Sequence, residues 1–321
     1  MDKGAKAEIR SRKGVLRALI QEPELSIGLF IVLLFVSLSL FTENFFNANN
    51  LVNLLKQSSV DGILAIAMAL ALISGGIDLS VGAMLGLSIG IGGRFIDMGC
   101  SWAIVFGVIL GVATLCGLIN GLLIVKLHVA PIIITLGTMN IYRGIAYIYT
   151  IQNYNIPDEY GVLGTGFAPI LFWLVLVVLV QIMLRKLPLG RNLYAVGGNE
   201  SCALLAGLKV DKIKTVTYML SGVIVGLGAI VYLGRTDAVL SSAGMDYETD
   251  AIAAAVLGGL SLTGGKGRVI GTALGALLLA LLMNAMTMLH IHANWQGLVK
   301  GAVMILALIL DGFRNAYFSR R

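Results

Sequence analysis

Long apolar runs, broken only by short polar turns, occupy almost everything between Ser26 and the C-terminal tail. Each is close to the roughly 20 residues that a helix needs to cross the hydrocarbon core of a bilayer. Of the 321 residues, 58% are hydrophobic and 12% charged, more apolar surface than a water-soluble core consumes. The chain is therefore expected to be an all-α, polytopic membrane protein, with residues 1–321 forming a single transmembrane domain in the lipid bilayer.

Ten spans are expected, at about residues 26–41, 51–74, 79–96, 101–125, 131–150, 168–185, 213–234, 251–264, 268–289 and 295–312. Two of them are unlike lipid-facing helices. The 51–74 run opens with Asn53, Lys56, Gln57, Ser58, Ser59 and Asp61; the 251–264 run is short and leads into Gly-Gly-Leu-Ser-Leu-Thr-Gly-Gly265. Polar or broken helices at membrane depth must lie against protein or a water-filled cavity. Both runs are thus expected in the middle of the domain, the second as a candidate re-entrant segment. Glycines at spacing four, among them Gly117/Gly121, Gly222/Gly226 and Gly271/Gly275, let helix backbones approach closely in lipid and point to packing, not to a ligand.

A polar and basic island interrupts this pattern from Leu187 to Lys214. Within it Glu200 to Leu205 reads as a short helix, with Asn199 placed to cap it and Gly207 to end it. An even number of spans puts both termini on one side. That side then holds Lys3, Lys6, Arg10, Arg12, Lys13, Arg17, Lys126, the six basic residues from Arg185 to Lys214, Lys266, Arg268, Arg314, Arg320 and Arg321, which is 18 of the 23 Lys and Arg. Basic residues collect on the cytoplasmic side. The tail 1–25 and the loop 186–212 are accordingly expected in the cytoplasm, where a partner can grip the capped helix.

The net charge of +6 reflects this topology and no nucleic-acid footprint, because the basic residues are scattered among loops and tails. Thr42-Glu-Asn-Phe-Phe46 after the first run offers no cleavage site, so a retained span is expected in place of a signal peptide. Cys100, Cys116 and Cys202 fall at no metal or redox spacing. His290 and His292 lack further ligands and read as interfacial residues. Gly264-Gly-Lys-Gly267 resembles the end of a phosphate loop, but Leu260 stands at its first glycine and Gly267 replaces the magnesium-holding Ser or Thr. No catalytic constellation is recognisable. The chain is not expected to be an enzyme, to bind a metal or to hold a cofactor of its own.

Polar residues within spans are the candidates for a translocation path: Asn120, Thr135, Thr138, Asn140, Arg143 and Asn284. Thr135 and Thr138, with Asn140 slightly further round, recur at helical spacing and are expected to share a face. Arg143 is expected to reach the outer interface or a carboxylate of the 151–160 loop. The competing reading of each is an interhelical hydrogen bond, worth about 0.6 kcal/mol. Asp78 and Ser80 begin a helix after a hairpin, where either caps it. A hairpin lock near the watery cytoplasmic face is weighed there against a gate.

Four stretches together resemble the permease subunits of ribose-type sugar ATP-binding-cassette (ABC) importers. They are Leu72-Ile-Ser-Gly-Gly-Ile-Asp-Leu-Ser-Val-Gly82, Pro131-Ile-Ile-Ile-Thr-Leu-Gly-Thr-Met139 with Tyr142-Arg-Gly144, the 187–207 island, and Asp250-Ala-Ile-Ala-Ala-Ala-Val-Leu-Gly-Gly259 continuing to Gly267. The resemblance implies a permease of the bacterial inner membrane, working as a homodimer and importing a ribose-like monosaccharide. It implies a cytoplasmic ABC ATPase that holds ATP and magnesium, and a periplasmic sugar-binding protein. It also implies that Asn199, Glu200, Ala203 and Gly207 belong to a coupling helix seated in the ATPase, the small residues allowing close approach. Cys202 departs from the alanine usual there. Another small polar solute, such as a nucleoside or signalling compound, fits the same build. An ion-driven secondary transporter would need an embedded ionisable network, to which Asp61 and Asp78 add little.

Overall fold

The structure is a computed structural model that describes residues 23–42, 45–150, 153–292, 295–303, 305, 306 and 309. The basic N-tail, the end of the expected 295–312 span and the three C-terminal arginines lie outside the described residues. The helices are α1 (Pro23–Phe41), α2 (Ala48–Ile73), α3 (Val81–Asp97), α4 (Trp102–Leu127), α5 (Pro131–Tyr149), α6 (Ala168–Lys186), α7 (Pro188–Gly198), α8 (Glu200–Leu205), α9 (Val210–Thr236), α10 (Tyr247–Leu257) and α11 (Val269–Met288). Residues 295–303 are helical as well. One strand pair, Tyr154–Asn155 with Ala238–Val239, ties two loops together.

Among the described residues, six helices, α1, α2, α4, α6, α9 and α11, are long and apolar enough to cross a membrane. The protein is thus an all-α polytopic membrane protein. The polar start of α2 leads into its core: the most apolar stretch of α2 is 83% buried, against 11% for the peripheral α1. Helix α2 packs on α6, α9, α10 and α11; α9 also lies along α4, and α3 sits between α4 and α5. Small residues set these distances. Gly117 and Gly121 of α4 meet the backbone of α9 at Tyr218, Gly222 and Thr215, and Gly271 and Gly275 of α11 meet α10 at Gly258 and Ala254. A side chain at any of them would strike backbone, which no rotamer relieves.

The 74–80 turn, α7, α8 and the 258–268 loop share one end, called the lower end below, since Gly265 N–H donates to the Ile73 carbonyl at 3.0 Å and Gly197 lies against both. Residues 153–167 and the end of α9 share the upper end, joined by the strand pair. Between α9 and α10 the chain dips inward. Ala243 and Gly244 lie against Gly86 and Gly82 of α3, and Arg143 beneath them is about 18 Å up α5 from its lower end. Helix α10 has 11 residues and rises about 16 Å, half of the roughly 30 Å hydrocarbon thickness. The expected 251–264 span is thus a half-length helix completed by an irregular strap, residues 240–246.

Candidate functional site

Two constellations carry the expected site residues. The first is the lower-end projection. Asn199 caps α8 as expected, its side-chain oxygen accepting from Cys202 N–H at 2.9 Å. The helix ends where Leu208 N–H reaches the Ala203 carbonyl and Gly207 takes a left-handed φ of 81°, a conformation in which glycine bears no Cβ penalty. Glu200 is held by Lys214 at 2.6 Å. Ala203 is buried against the chain's own core, so it faces inward and is not presented to a partner. The face that points away carries Leu204 and Leu205, 64% and 88% exposed, with Cys202 beside them. Both leucines lie outside the six long apolar helices.

Preceding it, α7 was not expected from the sequence. Its buried face, Gly190, Leu193 and Val196, follows helical spacing, and Pro188 sits at its first turn, where proline is tolerated. Three glycines in 11 residues masked the signal. Tyr194 donates to the Gly267 carbonyl at 2.7 Å, and burial raises its phenol above the ordinary value, keeping it a donor. At the end of α7, Gly197 lies backbone to backbone against Ile73, Gly75, Gly264 and Gly265. The Gly75-Gly76 and Gly264-Gly265 turns thus meet each other beside α7.

The second constellation is a buried chain of donors. Tyr142 Oη lies 3.1 Å from Asn120 Oδ1 and 3.0 Å from the Cys116 carbonyl. Asn120 Nδ2 donates to Ser80 Oγ at 2.7 Å, and Ser80 donates to Asp78 Oδ1 through Oγ at 2.6 Å and N–H at 3.0 Å. The start of α3 is thereby tied to α4 and α5. Asp78 is fully buried, and its Oδ1 is faced by Ser80 N–H and Oγ and, at 3.5 Å, by Asn120 Nδ2. Its Oδ2 and the Tyr218 hydroxyl have no partner among the described residues.

The path candidates separate. Thr135, on the buried face with Thr138, donates to the Ile77 carbonyl at 3.0 Å, and Thr138 to the Thr135 carbonyl at 3.3 Å. Asn140 points outward and returns its amide to the Leu136 carbonyl at 2.9 Å, so it does not share their face. Asn284 pairs reciprocally with Asn50 at 2.7 and 3.2 Å, joining α11 to α2. Among the described residues, Arg143 pairs with no carboxylate of the expected 151–160 loop. Its two terminal nitrogens donate to the Ala243 and Gly244 carbonyls at 2.6 and 2.8 Å, satisfying two backbone acceptors of the strap. Within the apolar part of α6, Gln181 Oε1 accepts from Val269 N–H at 3.1 Å and fixes the start of α11.

The sequence matches the family model described as branched-chain amino acid transport system / permease component over residues 50–308. It is 39% identical to the ribose import permease protein RbsC of Bacillus subtilis, covering 90% of this chain and 92% of that protein. To RbsC of Escherichia coli K12 it is 34% identical over 94% and 97% of the two chains. To the E. coli D-allose transport system permease protein AlsC it is 36% identical over 88% of each. No solved structure matches it significantly.

Proposed function

This chain belongs to the family of branched-chain amino acid transport system permease components, and on that premise we propose that it is the membrane-spanning subunit of a bacterial ABC importer for a monosaccharide. The observation that carries the substrate class is the set of full-length relatives. The ribose and allose permeases match nine-tenths of the chain at 34–39% identity, whereas the amino acids of the family description figure in none of their names. A ribose-like sugar is the proposed cargo.

The protein crosses the inner membrane several times. The full proposal is ten crossings in a single domain, residues 1–321, with both termini, the tail 1–25 and the loop 186–212 in the cytoplasm. α10 with its strap counts as the eighth crossing and the helix from residue 295 as the tenth. Basic residues at the lower end, from Lys126 through Lys214 to Arg268, support that orientation.

A homodimer is the proposed working unit, each copy offering one α8 to one half of an ATPase pair, which binds the ATP and magnesium. A periplasmic binding protein delivers the sugar at the upper end. In this scheme Asn199 and Gly207 shape α8, Glu200 is braced by Lys214, Ala203 seats the helix on its own subunit, and Leu204 and Leu205 enter the ATPase. Motion of α8 passes through the Gly197 contact into the ends of α2 and the 258–268 loop. Asn120, Thr135, Thr138, Asp78 and Ser80 act as the lock between α3, α4 and α5, and Asn284 as the one between α2 and α11. Asn140 is the candidate left free to face a path.

The test is directed at the outward leucines. Gly207→Trp would force a side chain into a left-handed backbone, and Glu200→Lys would set two cations together, so neither isolates the contact. Leu204→Glu and Leu205→Glu are expected to weaken co-purification of the ATPase by at least about tenfold and to abolish sugar uptake by reconstituted complexes. Asn155→Trp, at the upper end, should leave assembly intact. ATPase association and uptake at wild-type levels in both glutamate variants would sink the coupling assignment.

A further inference from the structure

At the upper end a cavity of about 440 Å³ lies between the start of α2, the end of α9 and the 158–165 turn, within the roughly 300–1,000 Å³ of small-molecule sites. Its floor is backbone. Gly164 rests against Gly234 and Arg235 so closely that no side chain fits there, which holds the turn against α9. Ile156 N–H donates to the Asp237 carbonyl at 3.1 Å, and Tyr160 Oη to the Cys100 carbonyl at 2.6 Å. The cavity is therefore built and braced, not a gap under a loose loop.

Its walls carry Lys56, Asp158, Thr165, Arg235 and Asp237. Lys56 and Arg235 are half-buried, projecting from helices that run into the core. Among the described residues, none of the four charged side chains makes an ion pair within 4 Å or a side-chain hydrogen bond, although Arg235 lies near enough to the buried Asp61 to act on its charge. Charged groups on membrane helices ordinarily pair with one another or serve a pathway. Two cations and two carboxylates around one space leave it without net charge, which favours a net-neutral ligand, zwitterionic or polyhydroxyl, and the importer reading selects the second. The four groups match a neutral ligand that offers donors and acceptors in several directions, as a polyhydroxyl ring does. The opening toward the exposed Asp158, Thr165 and Asp237 suits brief occupancy, since a path must bind well enough to admit and weakly enough to release.

We propose that this cavity is a receiving subsite for a monosaccharide entering the permease from the outer side. The proposal rests on the importer reading above and adds the residues that first hold the sugar. The test uses the complete complex in lipid nanodiscs, with Cys100, Cys116 and Cys202 replaced by serine and Thr165→Cys introduced. D-ribose, D-allose and D-galactose are first tried for uptake by the reconstituted wild-type importer. The sugar that is carried is expected to slow maleimide labelling of Cys at 165 about fivefold, with protection rising linearly with sugar as one-site occupancy requires. L-leucine should give no protection, and neither compound should protect Asn155→Cys, outside the cavity.

Lys56→Gln and Arg235→Gln should each abolish the protection and lower uptake about tenfold, while hydrolysis stimulated by the loaded binding protein stays at the wild-type level. Sugar uptake without protection at position 165 overturns the subsite. So does equal protection by L-leucine, or loss of stimulated hydrolysis in both glutamine variants, which would mark a docking face for the binding protein. A wild-type importer that carries none of the three sugars refutes the monosaccharide reading on which the subsite rests, a result read from uptake and independent of labelling.

Discussion

Arg143 shows how one side chain makes an irregular segment tolerable at membrane depth. Its planar fork reaches two successive carbonyls of the strap, a geometry that lysine cannot copy. Arg143→Met is expected to destabilise the solubilised protein by about 3 kcal/mol, because both buried carbonyls lose a charged donor. Arg143→Lys should recover only part of that, and thermal unfolding in detergent checks both. The residue stood out in the sequence as an ion within a span, but its partners did not, because backbone carbonyls leave no mark in a sequence. Ser80 stands at the start of α3 as expected, but neither it nor Asp78 makes a side-chain cap bond to that helix; the donor series from Tyr142 through Asn120 ends on Asp78 instead. Ser80→Ala breaks that series at its centre and should cost roughly 1–3 kcal/mol in the same assay.

At the level of elements, α7 and α8 form one device with two kinds of glycine. Gly197 is pressed against Ile73 and Gly265, whereas an added side chain at Gly198 would meet open space. Gly197→Ala should therefore loosen the lower end and expose the 187–209 segment to limited proteolysis. Gly198→Ala should be neutral or stabilising by up to about 1 kcal/mol, as alanine favours helix over glycine. Equal sensitivity at the two positions would refute the backbone contact. The cap and stop of α8 were readable because Asn199 and Gly207 act locally. The helix before it was not, since its glycines serve contacts with segments more than a hundred residues away in one direction and more than sixty in the other. Long-range close approach looks, in a sequence, the same as flexibility.

For the whole molecule, the charge asymmetry and the two ends make a direct prediction. Cys202 is exposed on α8 and should react with an impermeant maleimide only after spheroplasts are lysed. Asn155→Cys, in a background with Cys202→Ser, should react in intact ones. Labelling of both from the same side would reverse the map. The apolar periodicity located the bundle well, but the 251–264 run could not be resolved from sequence, because a half-helix and a short span have the same composition. The strap and α10 also bear on how the protein is made. Eleven helical residues do not suffice to partition into lipid as an independent segment, and the strap's carbonyls need Arg143, which is synthesised a hundred residues earlier. The α10 region must then wait, at the membrane surface or within the insertion machinery, until α3 and α5 stand together as a template. Assembly of this bundle is sequential by construction, and its last central piece is fitted by protein already folded, not by the bilayer.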